Sequence, residues 1–325
     1  MILASPTVSE TDDGPSPAVS HVPTTFDQPR VTVGELLAAS CLDYQVRLAA
    51  VRTDDGALVP HKRAVIREDT GGVLGVVGKN YVPVQNSQAF LFLNELVREG
   101  SLHAHRAGSF RGGARVWVQA KLPSTIRVRQ SDDLVDEYLL LCNTFDGSSA
   151  LRILFTPVRI VCENSLNLAI RRGIGQGISI RHRGNLVSKI QETRRVLGMA
   201  TEFFEDASER INRLAAHSPS SIQLDGYFRS LYPDPDQGDK AKATAVRHRL
   251  MDLFETGKGM DIPAVRHSTW AAYNAVTEWV DHHRPTRANS PAQRATQRLD
   301  SAWFGSGAAL KARAWSLALD MALAV

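Results

Sequence analysis

Short β-like runs separated by turn-forming residues fill the first half of the chain, and they restrict its fold more than any other feature. His61 to Arg67 and Val73 to Val77 flank Asp69-Thr70-Gly71-Gly72, a sequence typical of a hairpin turn. Glycine-containing segments at 108–113 and 146–149 separate two further pairs of runs rich in β-branched and aromatic residues. We therefore predict an antiparallel sheet built from hairpins.

The second half of the chain has a helical period. A stripe close to the 3.6-residue repeat consists of Leu186, Ile190, Leu197, Phe204, Ile211 and Leu214. Capping-box spacing at Thr32 to Glu35, and Ser87 ahead of a second apolar stripe, predict helices beside the strands. The expected fold class is α+β, an antiparallel sheet of β-hairpins flanked by helices and followed by a mainly helical C-terminal region. We expect a basic α+β domain at 29–184 and the helical region at 185–325.

The first 28 residues are rich in Ser, Thr, Pro and Asp and carry few large apolar side chains. Such a segment buries too little surface to offset the entropy of ordering, so we predict a disordered tail at 1–28. The chain shows no signal-peptide start and no apolar run of about 20 residues, which predicts a cytoplasmic protein without membrane association. Its three cysteines form no CxxC pattern, so neither a disulfide framework nor a thiolate zinc site is expected.

Positive charge is concentrated in the middle of the chain, although the net charge is only +4. Most of these cations are arginines, whose planar guanidinium suits bidentate contacts with phosphate. We predict a nucleic-acid-binding face whose phosphate contacts come from Arg106, Arg111, Arg115, Lys121, Arg152, Arg159, Arg171, Arg172, Arg181 and Arg183. The alternative is that these side chains are ordinary surface or pair with the acidic stretch at 132–137.

The spacing of some of these cations predicts a shared side of the sheet. Alternate residues of a strand share a face, so Arg111, Arg115 and Lys121 would line one side if no bulge intervenes. Arg106 lies across the hairpin, where the spacing predicts no particular side. Aromatic residues interleave with the cations and are candidates for base stacking, although core packing is the commoner role of such residues. They are Tyr81, Phe110, Trp117, Tyr138 and Phe145.

Catalytic signals are weak, and we predict no catalytic residues, no cofactor and no metal. Glu278, Asp281 and His282 form the best metal-like cluster, because Glu278 and His282 are four residues apart on an expected helix. Polarity at a helix end, which the helix dipole favours for histidine, is the alternative explanation. The loop around Asp146 and Gly147 resembles an anion nest, but a hairpin turn explains it more simply.

Several segments resemble the phage/plasmid-like protein family (domain of unknown function 932). They are Gly78 to Asn86, Ala107 to Gly113, Asp146 to Ser149, Phe155 to Asn164, Ala271 to His283 and Trp303 to Gly307. The resemblance implies a mobile-element setting but no established reaction. The order of helix, hairpins and helix with a basic sheet is also similar in outline to phage single-strand annealing proteins, an analogy of topology alone.

We therefore predict a nucleic-acid-binding protein whose partner is single-stranded DNA. It is expected to act as a homo-oligomer and to promote strand annealing without nucleotide hydrolysis. Two alternatives remain open at this point: a metal-dependent enzyme acting on nucleic acid, and a non-enzymatic regulatory or host-interaction protein.

Overall fold

The structure is a computed structural model that describes residues 24–25, 31–91, 93–98, 100–147, 151–165, 178–180, 186–237 and 240–323. The strands are β1 (Thr24–Thr25), β2 (Val46–Arg52), β3 (Leu58–Arg67), β4 (Val73–Gly78), β5 (His103–Phe110), β6 (Arg115–Arg127), β7 (Leu134–Thr144), β8 (Leu151–Arg159), β9 (Asn164–Ser165) and β10 (Ile178–Ile180). The helices are α1 (Val33–Ala39), α2 (Asn86–Ala89), α3 (Leu93–Arg98), α4 (Leu186–Ala216), α5 (Ser221–Leu231), α6 (Ala241–Thr256), α7 (Thr269–Glu278), α8 (Pro291–Phe304) and α9 (Ser306–Leu323). Except for residues 24–25, the predicted disordered tail lies outside the described residues.

The strands form two antiparallel sheets. The smaller has the order β2-β3-β4, and the larger has the order β1-β5-β6-β7-β8-β10, with β9 also pairing with β8. Each long neighbouring pair is consecutive in the chain, as hairpin connections require. The predicted α+β class, with hairpin sheets followed by a mainly helical C-terminal region, is confirmed.

One face of the larger sheet packs on the main hydrophobic core. Val116 and Val118 of β6 and Leu139 and Leu141 of β7 point to this face, where they are buried. The long helix α4 covers it, and Phe203 of α4 lies 5.3 Å, centroid to centroid, from Phe155. The same core continues through α5, α6, α7 and α9, so the sheet and the C-terminal helices are joined by continuous packing.

The opposite face of the larger sheet is covered over only part of its width. Trp117 of β6 packs against Trp303 of α8, with ring centroids 4.8 Å apart and planes perpendicular, and against Phe110. This second cluster fixes α8 across one end of the sheet. The other end of the same face remains open to a cleft.

Gly108 permits the close contact between β5 and the Trp117 ring. A methyl group at Gly108 would lie 2.6 Å from Cζ2 of Trp117, while Trp303 and Phe110 hold the ring in place. We expect Gly108→Ala to lower the free energy of unfolding by about 1–3 kcal/mol through overpacking, measured by urea denaturation. Gly198→Ala is the control: it lies within α4 with no atom near the new methyl, so it should raise stability by about 0.5–1 kcal/mol. Equal effects of the two changes would contradict the packing argument.

Candidate nucleic-acid interface

The register of the larger sheet places four predicted phosphate-binding residues on one face. Arg106 pairs with Gln119, Lys121 with Tyr138, and Arg152 with Cys142, which in turn pairs with Trp117. Directly paired residues of antiparallel strands point to the same side. Arg115 shares this side because it lies two residues before Trp117 in β6. A bulge between Ala104 and Arg106 sets the side of Arg106, which sequence spacing left unassigned.

Acidic residues neutralise part of this face. Arg115 contacts Asp300 of α8 with a 2.9 Å ion pair, and Lys121 contacts Asp136 of β7 at 2.5 Å. Arg111 lies in the tight turn before β6, where it is 58% exposed and makes longer pairs of 3.7 Å with Asp146 and 3.6 Å with Asp300. Lys121 thus pairs with the acidic stretch, which is the contact that the alternative interpretation predicts.

Arg159 is a structural residue and not part of the exposed face. Its side chain is completely buried, its Nε atom lies 2.6 Å from Oδ1 of the equally buried Asp133, and its Nη1 atom donates to the Lys258 carbonyl at 3.1 Å. Trp270 donates from its indole nitrogen to the other oxygen of Asp133 at 2.8 Å. The assignment of Arg159 to phosphate contact is thus wrong, because no phosphate reaches a side chain without exposed surface.

Of the five remaining predicted phosphate-binding residues, one lies in the described part of the chain. Arg152 is exposed on β8 and has no ion pair with another described residue. Arg171, Arg172, Arg181 and Arg183 lie outside the described residues.

A cleft of about 520 Å³ occupies the open end of this face. Its floor is formed by side chains of β5 to β8, namely Arg106, Gln119, Asp136, Tyr138 and Val158. One wall is the side of α8 that carries Thr296, Arg298 and Leu299. The other wall is the turn after β8, with Ile160 and Glu163, together with Ser165 of β9, and Asp281 and His282 close the end. The volume falls within the range of about 300–1,000 Å³ that is typical of ligand sites.

Three charged side chains of the cleft have no partner among the described residues. Arg106 is half-buried, and its Nε atom is buried without a hydrogen bond. Arg298 is half-buried and Glu163 is exposed, and neither makes an ion pair or hydrogen bond with another described residue. A buried donor without an acceptor costs free energy, so the fold leaves the Arg106 guanidinium unsatisfied, and the exposed part of this half-buried side chain is what a ligand oxygen in the cleft can contact.

A buried ion pair supports the wall that carries Ser165. Lys311 of α9 donates from its Nζ atom to the Ser165 carbonyl at 2.8 Å, to Ser165 Oγ at 2.9 Å and to Asp281 Oδ1 at 2.9 Å. The pKa of Lys311 is lowered, because the effect of burial exceeds the opposing effect of the Asp281 carboxylate. The three acceptors match the three N–H bonds of an ammonium group, so Lys311 connects α9 to β9 and to Asp281.

The predicted metal-like cluster does not converge. After Glu278 the helix widens into a π-helical turn at Trp279–His283, which changes the direction of the following side chains. Glu278 accepts from the Lys258 backbone at 3.1 Å, Asp281 pairs with Lys311, and Nε2 of His282 lies 3.0 Å from the Cys162 carbonyl oxygen. Within the described ranges, no three His, Cys, Asp or Glu side chains are grouped to hold a metal ion.

The aromatic residues proposed for stacking are mainly core. Phe110, Trp117 and Phe145 are at most 2% exposed, and the hydroxyl of the half-buried Tyr81 donates to the Thr144 carbonyl at 3.0 Å. Tyr138 lines the cleft but is buried over most of its surface. Phe110, Trp117 and Phe145 therefore have no open ring face on which a base could stack.

The described part of the chain is an α+β protein whose antiparallel sheet carries a cleft with apolar side chains and charged side chains of both signs. The chain belongs to the family described as Domain of unknown function (DUF932), whose model matches residues 73–303, more than half of its length. Every residue that lines the cleft lies within the matched segment. No curated protein and no solved structure matches the chain. None of the helices described combines the length and apolar character needed to cross a membrane.

Sequence reasoning missed three residues of this site. Arg298 and Glu163 line the cleft, and Lys311 supports its wall. Arg298 has a detectable signal, since it follows Arg294 by four residues on the polar side of an amphipathic helix. Glu163 and Lys311 gave no such signal, because their roles depend on contacts between distant segments.

Proposed function

We propose that the protein binds single-stranded DNA in the cytoplasm, in a phage or plasmid setting, and promotes strand annealing as a homo-oligomer without nucleotide hydrolysis. The strand would follow the open face of the larger sheet and the adjoining side of α8. The observation that carries the proposal is the pair of guanidinium groups, Arg106 and Arg298, that line one cleft without an acidic partner among the described residues.

The contrast with neighbouring cations supports this proposal. Arg115 and Lys121 lie on the same face of the sheet, and each has a carboxylate within 3 Å. Leaving a half-buried guanidinium unpaired is costly, and a bound phosphate would offset that cost with a charge-assisted hydrogen bond. Arg152 at the far side of the face, together with the exposed Arg294 of α8, would extend the path of the backbone.

Replacing both cleft arginines should weaken binding to single-stranded DNA strongly. Hydrogen bonds to charged groups contribute about 1.5–3 kcal/mol each, so Arg106→Gln with Arg298→Gln should raise the dissociation constant by well over ~10-fold. The slope of log affinity against log salt should fall by about 0.7 for each phosphate contact removed. Fluorescence anisotropy with a labelled oligonucleotide across a salt series measures both quantities.

The matched control changes two arginines elsewhere in the same way. Arg213 of α4 and Arg229 of α5 are exposed and lie in helix-surface ion pairs outside the cleft. Arg213→Gln with Arg229→Gln removes the same charge and should leave the affinity nearly unchanged. If both double variants lowered the affinity for single-stranded DNA equally, binding would depend on net charge and not on the cleft. No binding by the unmodified protein at low salt would favour the regulatory or host-interaction alternative.

A further inference from the structure

The cleft has a mixed charge pattern that a simple phosphate-backbone groove would not need. Arg106 of the floor and Arg298 of one wall are unpaired cations, and Glu163 of the opposite wall is an unpaired carboxylate among the described residues. A carboxylate beside the path of a polyanion repels it. Glu163 is therefore expected to contact a part of the ligand that donates hydrogen bonds.

The backbone at Glu163 is held in an uncommon conformation. Its φ angle is +54°, in the left-handed region that non-glycine residues rarely adopt. The residues on both sides are fixed: Cys162 is fully buried, and the Asn164 amide lies 3.0 Å from Thr277 Oγ1 and from His282 Nε2. The turn thus presents the Glu163 carboxylate at the cleft from a rigid base, as strained positions at binding sites often do.

A nucleotide has the two chemical features that this lining requires. Its phosphate accepts hydrogen bonds from guanidinium groups, and its base can donate hydrogen bonds from amino and imino groups. Guanine fits a carboxylate best, since its adjacent N1–H and N2–H donors match the two carboxylate oxygens. One nucleotide is also a ligand of the size that clefts of about 520 Å³ accept.

We propose that the cleft binds a single nucleotide, with its phosphate on Arg106 and Arg298 and its base edge on Glu163, and that guanine is preferred. This inference deepens the proposed function, since the nucleotide would be one unit of the bound strand. It further requires that an isolated mononucleotide binds the same cleft.

The test is isothermal titration of the full chain with deoxyguanosine, deoxyinosine and thymidine monophosphates, deoxyribose 5-phosphate and inorganic phosphate. We expect the guanine nucleotide to bind about 5- to 150-fold more tightly than the thymine nucleotide, the usual range for one bidentate base contact. The inosine nucleotide, which lacks the N2 amino group, should fall between them. Glu163→Gln should reduce the guanine preference, whereas Arg106→Gln should weaken all of the nucleotides alike.

Glu209→Gln is the matched control, because Glu209 is 69% exposed on α4 and outside the cleft. Deoxyribose 5-phosphate binding as tightly as the guanine nucleotide would overturn the inference, since the base would then contribute nothing. Oligonucleotide binding without any mononucleotide binding would also overturn it and leave the proposed function standing. Mononucleotide binding with guanine preference but no oligonucleotide binding would reject the proposed function and support the single-nucleotide cleft.

Discussion

Replacing Asp133 by alanine should lower the free energy of unfolding by about 3–5 kcal/mol, the cost of leaving one member of a buried ion pair alone. Arg159 and Asp133 are both 0% exposed, and their closest atoms are 2.6 Å apart. The substitution also removes the acceptor of the Trp270 indole. One Arg159 nitrogen, Nη2, already lacks a hydrogen bond among the described residues, so no other described acceptor is positioned to replace Asp133. Urea denaturation followed by circular dichroism measures the change.

The neighbouring residue provides a matched control. Asp132 is fully exposed and lies 3.5 Å from Arg127, its ion-pair partner in the described part of the chain, so Asp132→Ala should change stability by less than about 1 kcal/mol. Asp133→Ala combined with Arg159→Met removes both buried charges and should cost less than Asp133→Ala alone. If Asp133→Ala and Asp132→Ala gave the same small change, Arg159 would have to be hydrated in solution, and the buried pair would be rejected.

The hairpins could be predicted from sequence because their signals are local. Asp69-Thr70-Gly71-Gly72 separates β3 from β4, with Gly71 at a φ of +70°, so that a few adjacent residues define the turn. The long helix α4 was equally clear, since its apolar stripe repeats within one segment. The one helix expected after Ser87 is interrupted, and α2 ends before Phe90 while α3 begins at Leu93.

The candidate site could be predicted only in part, because its contacts join residues far apart in the chain. Asp300 lies 185 positions from its partner Arg115, and Trp270 lies 137 positions from Asp133. Charge clustering selects cations by residue type, so it could not separate a buried arginine such as Arg159 from one that lines the cleft, such as Arg106. That distinction depends on which acidic side chain the fold brings near each guanidinium.

The arrangement of the cleft follows from how α8 crosses the sheet. Trp303 anchors α8 on Trp117, and Asp300, on the same helix, neutralises Arg115. The helix therefore covers and neutralises one end of the basic face while it forms a wall of the cleft over the other end. The helix that removes part of the predicted interface thus also shapes the remaining part.

Replacing Lys311 by methionine should lower the free energy of unfolding by about 3–5 kcal/mol and loosen the end of the cleft formed by Asp281 and Ser165. Methionine fills similar volume but donates no hydrogen bond, so among the described residues the largely buried Asp281 carboxylate would keep its contacts with Ser165, from the backbone nitrogen at 2.9 Å and the hydroxyl at 3.1 Å. Urea denaturation gives the global effect. Hydrogen exchange at the Ser165 amide, which is bonded to Asp281, reports the local one.

Arg313→Met is the matched control on the same helix, since Arg313 is exposed two residues further along α9 and should contribute less than about 0.5 kcal/mol. Adding Asp281→Asn to Lys311→Met removes the unpaired charge and should recover part of the loss. Because Asp281 and Ser165 line the cleft, Lys311→Met should also weaken nucleotide binding under conditions where the protein remains folded. If hydrogen exchange at the Ser165 amide were unchanged in Lys311→Met, β9 would hold its position without the Lys311 ammonium. The role of Lys311 in fixing β9 would then be rejected.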